Sequence, residues 1–371
     1  MRRSLGGLGS MDGEIVYMFI YNTGTKFTDD QLRGLLKNQE DFSKYEYQKP
    51  TPEEIPTFTV PSIFNLRDET VEFGKSSRRI RAQAAIYNTG SFSIRLRYVF
   101  SGLGVKDIYE LTFDPAFGKA ISDLSIKEKS KIEKNLSKIA GIEVSQIKET
   151  YRFYHLNARI GDLVPANGKA VAGLLIDEQN YGGISDAYAN DTLKKSISYT
   201  DGDAVFVGWE AAVMVDTATS YEHELLVAEI ANVQLLEMMI YHDRIARVIK
   251  NTESAGSMLS KRGLRSKELA RTNRSLGESY NRIRDMINSV NDTVSGFGEW
   301  YLLKLYSLYD DVFKISAWRD SLEDDMDLID KRRAIISDAI RSNRDEFLEI
   351  IVILLIVVEV VVEVIFLLST R

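Results

Sequence analysis

Cysteine is absent from this chain of 371 residues, and histidine occurs only at His155, His223 and His242. The first absence excludes disulfides, thiolate zinc sites, iron–sulfur clusters and cysteine nucleophiles, and three scattered histidines make a histidine-based metal site improbable. Proline is scarce: all six lie between Pro50 and Pro165, so nothing from Tyr221 onward interrupts a helix by that route. No P-loop, Gly-x-Ser-x-Gly or His-Glu-x-x-His is present. Gly6–Gly9 precedes the first strand pattern, the wrong place for a dinucleotide fingerprint. The Gly168-Lys169-Ala170 triplet fails as a P-loop because Leu163 stands at its first glycine and Ala170 at its hydroxyl position. These gaps predict a protein that is not an enzyme and holds no cofactor or metal. Net charge is −7, from 47 basic and 54 acidic side chains, which argues against wholesale nucleic-acid binding. What is plentiful is apolar residue, 44% of the chain, enough for one large or two ordinary domains.

The apolar residues are unevenly spread. Residues 347–368 read FLEIIVILLIVVEVVVEVIFLL, 22 positions of which only Glu349, Glu359 and Glu363 are polar. As a helix the segment reaches roughly 33 Å, enough for a hydrocarbon core of about 30 Å. A lone strand could not satisfy its backbone in lipid, so a single transmembrane helix is expected. Lys331, Arg332, Arg333, Arg341 and Arg344 precede the segment and Arg371 follows it. The positive-inside rule then leaves the long N-terminal part on the cytoplasmic or matrix-like side, as in a tail-anchored protein. Glu359 and Glu363 are four apart, on one helical face, and each costs about 2.5–3.5 kcal/mol in lipid if it behaves like Asp. With Glu349 they predict either helix–helix association in a homo-oligomer or a proton- or cation-sensitive pathway.

Upstream, residues 217–346 carry long helical patterns. Tyr221–Lys250 is a broad apolar helix, Leu264–Val294 a polar one ending at the Ser295–Gly298 break, and a third pattern runs from Glu299 into the apolar segment. Ile315, Leu322, Ile329 and Ile336 recur every seven residues, a coiled-coil-like seam. Arg244–Arg284 holds 11 basic and 3 acidic residues, whereas Asp310–Asp330 holds 8 acidic and 2 basic ones. One reading pairs the two as arms of an antiparallel hairpin. The others give Lys261, Arg262, Arg265, Lys267, Arg271 and Arg274 to RNA or a ribosome, or to anionic lipid.

Residues 13–216 read as a mixed α+β domain after a flexible stretch, 1–12. Glu14–Tyr21 is a buried strand, and Thr28 opens a short helix over Gln31–Leu36. Lys49–Pro61 is a proline-rich linker. Arg79–Ile86 and Phe92–Phe100 form a hairpin around Asn88-Thr89-Gly90, Ile126–Ile142 an amphipathic helix, and Ala204–Trp209 and Ala211–Asp216 two strands. The pentapeptide IYNTG occurs twice, at Ile20–Gly24 and Ile86–Gly90.

Glu349 before Ile350–Val358, with Glu359 ten positions on and Glu363 four later, resembles the C-terminal signature of the family required for meiotic nuclear division. Its basic pre-anchor helix is similar to the stretch from Lys331 to Arg344. The strand and helix opening of Gly13–Leu36, and Val215–Ile245, also look like elements of that family, although Phe19-Ile20-Tyr21-Asn22 replaces its aromatic Phe-Trp-Gly ending. The resemblance implies a non-enzymatic, homo-oligomeric membrane scaffold that tethers translation machinery or another cytoplasmic partner, here in a prokaryotic plasma membrane rather than a mitochondrial one. Two alternatives stand beside it: an oligomeric pore with an intracellular α/β funnel, and an RNA-binding module built on residues 244–284.

Overall fold

A computed structural model describes residues 10–28, 30–32, 34, 43–44, 61–74, 76–217, 220–259, 266–296 and 299–369. The expected flexible stretch, apart from its last residues, and the proline-rich linker lie outside these. The chain divides into two compact units.

The first unit comprises residues up to Ile240 together with Met286–Arg319. Its centre is a ten-stranded sheet: β1 (Met11–Asn22), β2 (Ser43–Lys44), β3 (Ser62–Asn65), β4 (Glu69–Phe73), β5 (Ser76–Ile86), β6 (Ser91–Leu103), β7 (Glu149–Asn157), β8 (Ser196–Ile197), β9 (Ala204–Val207) and β10 (Ala211–Val215). The order is β2-β3-β5-β6-β1-β7-β10-β9-β8, with β4 pairing β5 off that path. All pairs are antiparallel except β7 with β10. The expected hairpin is β5–β6, and the first expected strand, β1, lies mid-sheet.

Two faces follow from the period of two along each strand. One carries Ile15, Tyr17, Ile94, Leu96, Tyr98, Tyr154 and Val213 and forms the main apolar core. Helices α1 (Val105–Thr112), α2 (Pro115–Leu136) and α3 (Ile160–Leu175) cover it, with the rings of Tyr17 and Tyr98 edge-on to Phe117. The helix expected over 126–142 in fact starts at Pro115 and stops at Leu136. Asp114 caps it by accepting from the Ala116 and Phe117 amides, and proline occupies the first turn, where no amide donor is needed. A short helix, α4 (Asp186–Leu193), follows α3.

The opposite face meets the first half of α5 (Glu222–Leu259) and α7 (Trp300–Phe313). Between these in sequence lies α6 (Ser266–Gly296). The last helix, α8 (Ile315–Ser369), is separated from α7 by Lys314, whose backbone is left-handed at φ 57°. Asp310 accepts from the Ser316 amide at 2.7 Å and hydroxyl at 2.6 Å, starting the new helix. The expected pattern from Glu299 into the apolar segment is therefore two helices, broken at Lys314. Packing also groups 222–240 and 286–319 with the sheet, so the compact units do not divide at the expected 216/217 boundary.

The second unit, Tyr241–Asp285 and Asp320–Arg371, is helical. Ile245, Leu276, Ile283, Leu322, Ile329 and Ile336 are buried in it, so three of the four seven-residue repeats form an interior seam here. The fourth, Ile315, is buried in the first unit. Among the described residues no helix is long and apolar enough to cross a membrane. Within the expected span 347–368, the side chains of Phe347, Val361, Glu363, Val364, Phe366, Leu367 and Leu368 lie outside the described residues.

Candidate functional site

Of the residues singled out from sequence, Glu349 and Glu359 are exposed on α8, and the side chain of Glu363 lies outside the described residues. Arg271 and Arg274 are exposed on α6, whereas Lys261, Arg262, Arg265 and the Lys267 side chain lie outside the described residues. The Asn273 amide reaches the Ser337 hydroxyl at 3.2 Å, and a methyl added to Gly277 would lie 3.2 Å from the Arg333 guanidinium. The 273–277 stretch of α6 therefore runs alongside the 333–337 stretch of α8. From α5, His242 Nδ1 stands 3.4 Å from Asp325.

The densest polar constellation lies under α5 and has no counterpart among the expected sites. The second face of β6 presents Ser91, Ser93, Arg95 and Arg97, all buried. Glu222, Glu229 and Glu237 follow one another at spacings of seven and eight along α5 and so share a side of the helix. Arg95 forks onto Glu229, with Nε 2.8 Å from Oε1, and Tyr87 donates to the same carboxylate at 2.8 Å. Arg97 forks onto Glu14 at 3.1 and 2.8 Å and reaches Glu222 at 2.7 Å, Gln83 at 3.2 Å and the Tyr221 hydroxyl at 3.1 Å. Thr89 and Ser91 donate to Glu237 at 2.5 and 2.6 Å.

Electrostatics follow from this pairing. Burial works against the charge of Arg97, but Glu14 and Glu222 hold its pKa above the ordinary value. Burial likewise opposes ionisation of Glu222, and Arg97 overcomes it, leaving that carboxyl below its usual range. Glu237 is pushed up by burial despite the two hydroxyl donors. His155 is depressed, chiefly by burial, and its ring stacks on Tyr221 at 4.2 Å. Each guanidinium fork is filled by carboxylate, so the constellation acts as a lock between sheet and helix and offers no open coordination position. Among the described residues no group of three or more His, Asp or Glu could hold a metal.

The two IYNTG copies end β1 and β5, the strands flanking β6, and meet at one end of the sheet. The Thr23 amide and hydroxyl both donate to the Gly90 carbonyl at 2.9 Å, Phe27 donates to the Asn88 carbonyl at 2.9 Å, and Asn22 donates to the Ser91 hydroxyl at 2.9 Å. On the apolar side, a cleft of about 310 Å³ is lined by Arg67, Glu69, Lys127, Glu128 and Lys131 among others. Its lysines are committed: Lys127 to Glu69 at 2.7 Å and Lys131 to the buried Glu128 at 2.6 Å.

Comparison with known proteins places the sheet within a recognised group. A stretch of 166 residues is 23% identical to the uncharacterised protein MJ0711 of Methanocaldococcus jannaschii, covering 43% of this chain and 48% of that protein. The chain thus spans about half the length of the relative it matches. No solved structure matches, and nothing in these matches links the chain to the family required for meiotic nuclear division. Residues 12–222, more than half of the chain, match the family described as the N-terminal domain of uncharacterised protein MJ0711, and the chain belongs to that family.

Proposed function

We propose that the protein is a non-enzymatic membrane scaffold, held to the bilayer by the segment 347–368 and self-associating through it, with the sheet domain presented to a partner on the cytoplasmic side. One observation carries the reading. Along α8 every described large apolar residue from Leu348 to Val360 is exposed, from 39% at Ile351 to 61% at Leu354. A helix that is apolar all round is stable only inside a protein core or in lipid, and none of the described residues buries this stretch. The basic residues between Lys331 and Arg344 orient it with the folded units inside. The carboxylates at 349, 359 and 363 support association of copies within the bilayer, and their spacing supports the likeness to the meiotic-nuclear-division family as part of this proposal.

Vesicle flotation of the full chain tests it. The protein is expected to float with phosphatidylcholine vesicles, to resist alkaline extraction, and to need detergent for dispersal. Substituting Leu354, Leu355 and Val357 with Asn should release it into the aqueous fraction. A full chain that stays monodisperse and monomeric without amphiphile would overturn the reading.

A further inference from the structure

We propose that the helical unit binds a small α-amino acid in the cavity between α5 and α6. Tyr241, Arg244 and Ile245 stand at i, i+3 and i+4 on α5, and Ser275, Glu278 and Ser279 stand at the same spacing on α6. Each trio therefore shares one side of its helix. With Ile283, one turn beyond Ser279, they line a cavity of about 160 Å³. All of these residues lie within the second compact unit. Sites for drug-sized ligands run to roughly 300–1,000 Å³, so this one suits a molecule of only a few heavy atoms and excludes a nucleotide. The site is independent of the membrane reading above.

The lining sorts by chemistry. Ile245 and Ile283 are buried and supply its apolar part. Arg244 and Glu278 bring opposite charges to the same space, yet neither makes an ion pair with the other or with any described residue. Charges placed only to tie two helices together would meet; these stand apart with a cavity between them. The Arg244 guanidinium lies 5.7 Å from the centre of the Tyr241 ring, a cation–π contact that steadies it and leaves its forked donors for a carboxylate. Ser279 donates to the Ser275 carbonyl at 2.9 Å, so its own oxygen keeps acceptor capacity. The ligand that answers this lining carries a carboxylate for Arg244, an ammonium for Glu278 and a short apolar body for the isoleucines. An α-amino acid holds the two charged groups on one carbon. A simple anion would leave Glu278 unmet and facing a like charge, and a simple cation would do the same to Arg244. The volume then selects alanine, or a side chain near its size, over tryptophan.

The test is calorimetric titration of the full chain in detergent with L-alanine, and separately with acetate, methylammonium and L-tryptophan. L-Alanine is expected to bind. Acetate and methylammonium should each bind about tenfold more weakly or worse, because each leaves one charge-assisted bond unmade, and tryptophan should not bind. Arg244→Gln and Glu278→Gln should each weaken alanine by about tenfold or more, while Arg274→Gln, on the same helix but outside the cavity, should leave its affinity unchanged. Neither cavity variant should move the thermal midpoint of the unliganded chain, since Glu278 is exposed and Arg244 half-buried. If one does, the preference of the unaltered chain for alanine over acetate reads the same two charges without substitution. Heat of dilution alone on adding alanine overturns the proposal and leaves the cavity to water. Equal affinity for alanine and acetate reduces it to a plain anion site and overturns the role of Glu278. Alanine affinity unchanged in both Gln variants places the amino acid elsewhere and overturns it too.

Discussion

At the residue scale, two arginines on one strand decide how the long helix sits on the sheet. Removing one partner of a buried pair leaves an uncompensated charge, at a cost of about 3–5 kcal/mol. Arg95→Met should therefore destabilise the sheet unit by that amount in chemical denaturation, because Glu229 is fully buried. Arg95→Met combined with Glu229→Leu should recover most of the loss, since an apolar replacement of a buried pair is often neutral. If the double variant is no better than the single, the pair is not the coupled unit described here. Protonation adds a second test. Burial, reinforced by Asp216, Glu299 and Asp203, pushes Glu224 up to about 7, and burial with Glu210 does the same for Glu149. A raised carboxyl keeps in the fold a proton that the unfolded chain has already released, so its contribution falls as pH rises from the unfolded value to the folded one. Glu222, held low, contributes in the opposite sense and is lost on acidification. The thermal midpoint should peak at about pH 5 and decline toward neutrality, and Glu224→Gln should flatten that decline without affecting the acid limb. A decline of unchanged slope in the variant would rule Glu224 out as its source.

At the scale of elements, the turn at Asn88-Thr89-Gly90 combines what sequence reveals with what it hides. Alternation on either side of a Gly-containing turn made the β5–β6 hairpin legible, and the repeat of IYNTG was visible too. That the two copies pack together was not, because their contact is made of backbone amides and carbonyls that no residue pattern records. Gly90 adopts φ 99°, and an added Cβ would meet the Thr25 carbonyl oxygen at 2.2 Å. Gly90→Ala should cost roughly 1–3 kcal/mol, measurable as a lower denaturation midpoint. Gly102→Ala, also at positive φ but with nothing near it, isolates the conformational share. Equal losses in the two variants would show that the turn–turn contact adds nothing. The lock beneath α5 escaped the sequence for a different reason. Ser91, Ser93, Arg95 and Arg97 alternate with apolar residues as a strand with one wet face does, and the acids that cover them lie more than a hundred positions away. Helix α3 was hidden by its own composition: Pro165, Gly168 and Gly173 speak against a helix, yet Gly173 leaves the space that Tyr109 and Tyr181 fill.

At the scale of the whole molecule, an interior seam and an exposed apolar run share a single helix. Ile329 and Ile336 are buried, while Ile350 through Val358 are exposed on all sides. The first pattern has its partner within the chain; the second, in the proposed reading, is covered by lipid and by other copies. Glu359 distinguishes the ways of meeting that requirement. In a bundle of copies it hydrogen-bonds a neighbouring helix, and removing it exchanges a polar contact worth about 0.6–2 kcal/mol for apolar packing without register. In a conducting assembly it lines water, and replacing it leaves the assembly intact but changes what passes. Glu359→Leu is therefore expected to shift the subunit number of the detergent-solubilised chain toward smaller or mixed assemblies, read by multi-angle light scattering. Glu359→Gln, which keeps a hydrogen-bonding group, should hold the original mass. An unchanged mass in both variants, together with loss of cation flux from proteoliposomes, would transfer the segment from scaffold to ion pathway, because only a wet lumen makes the charge of that carboxylate matter while its bonding does not.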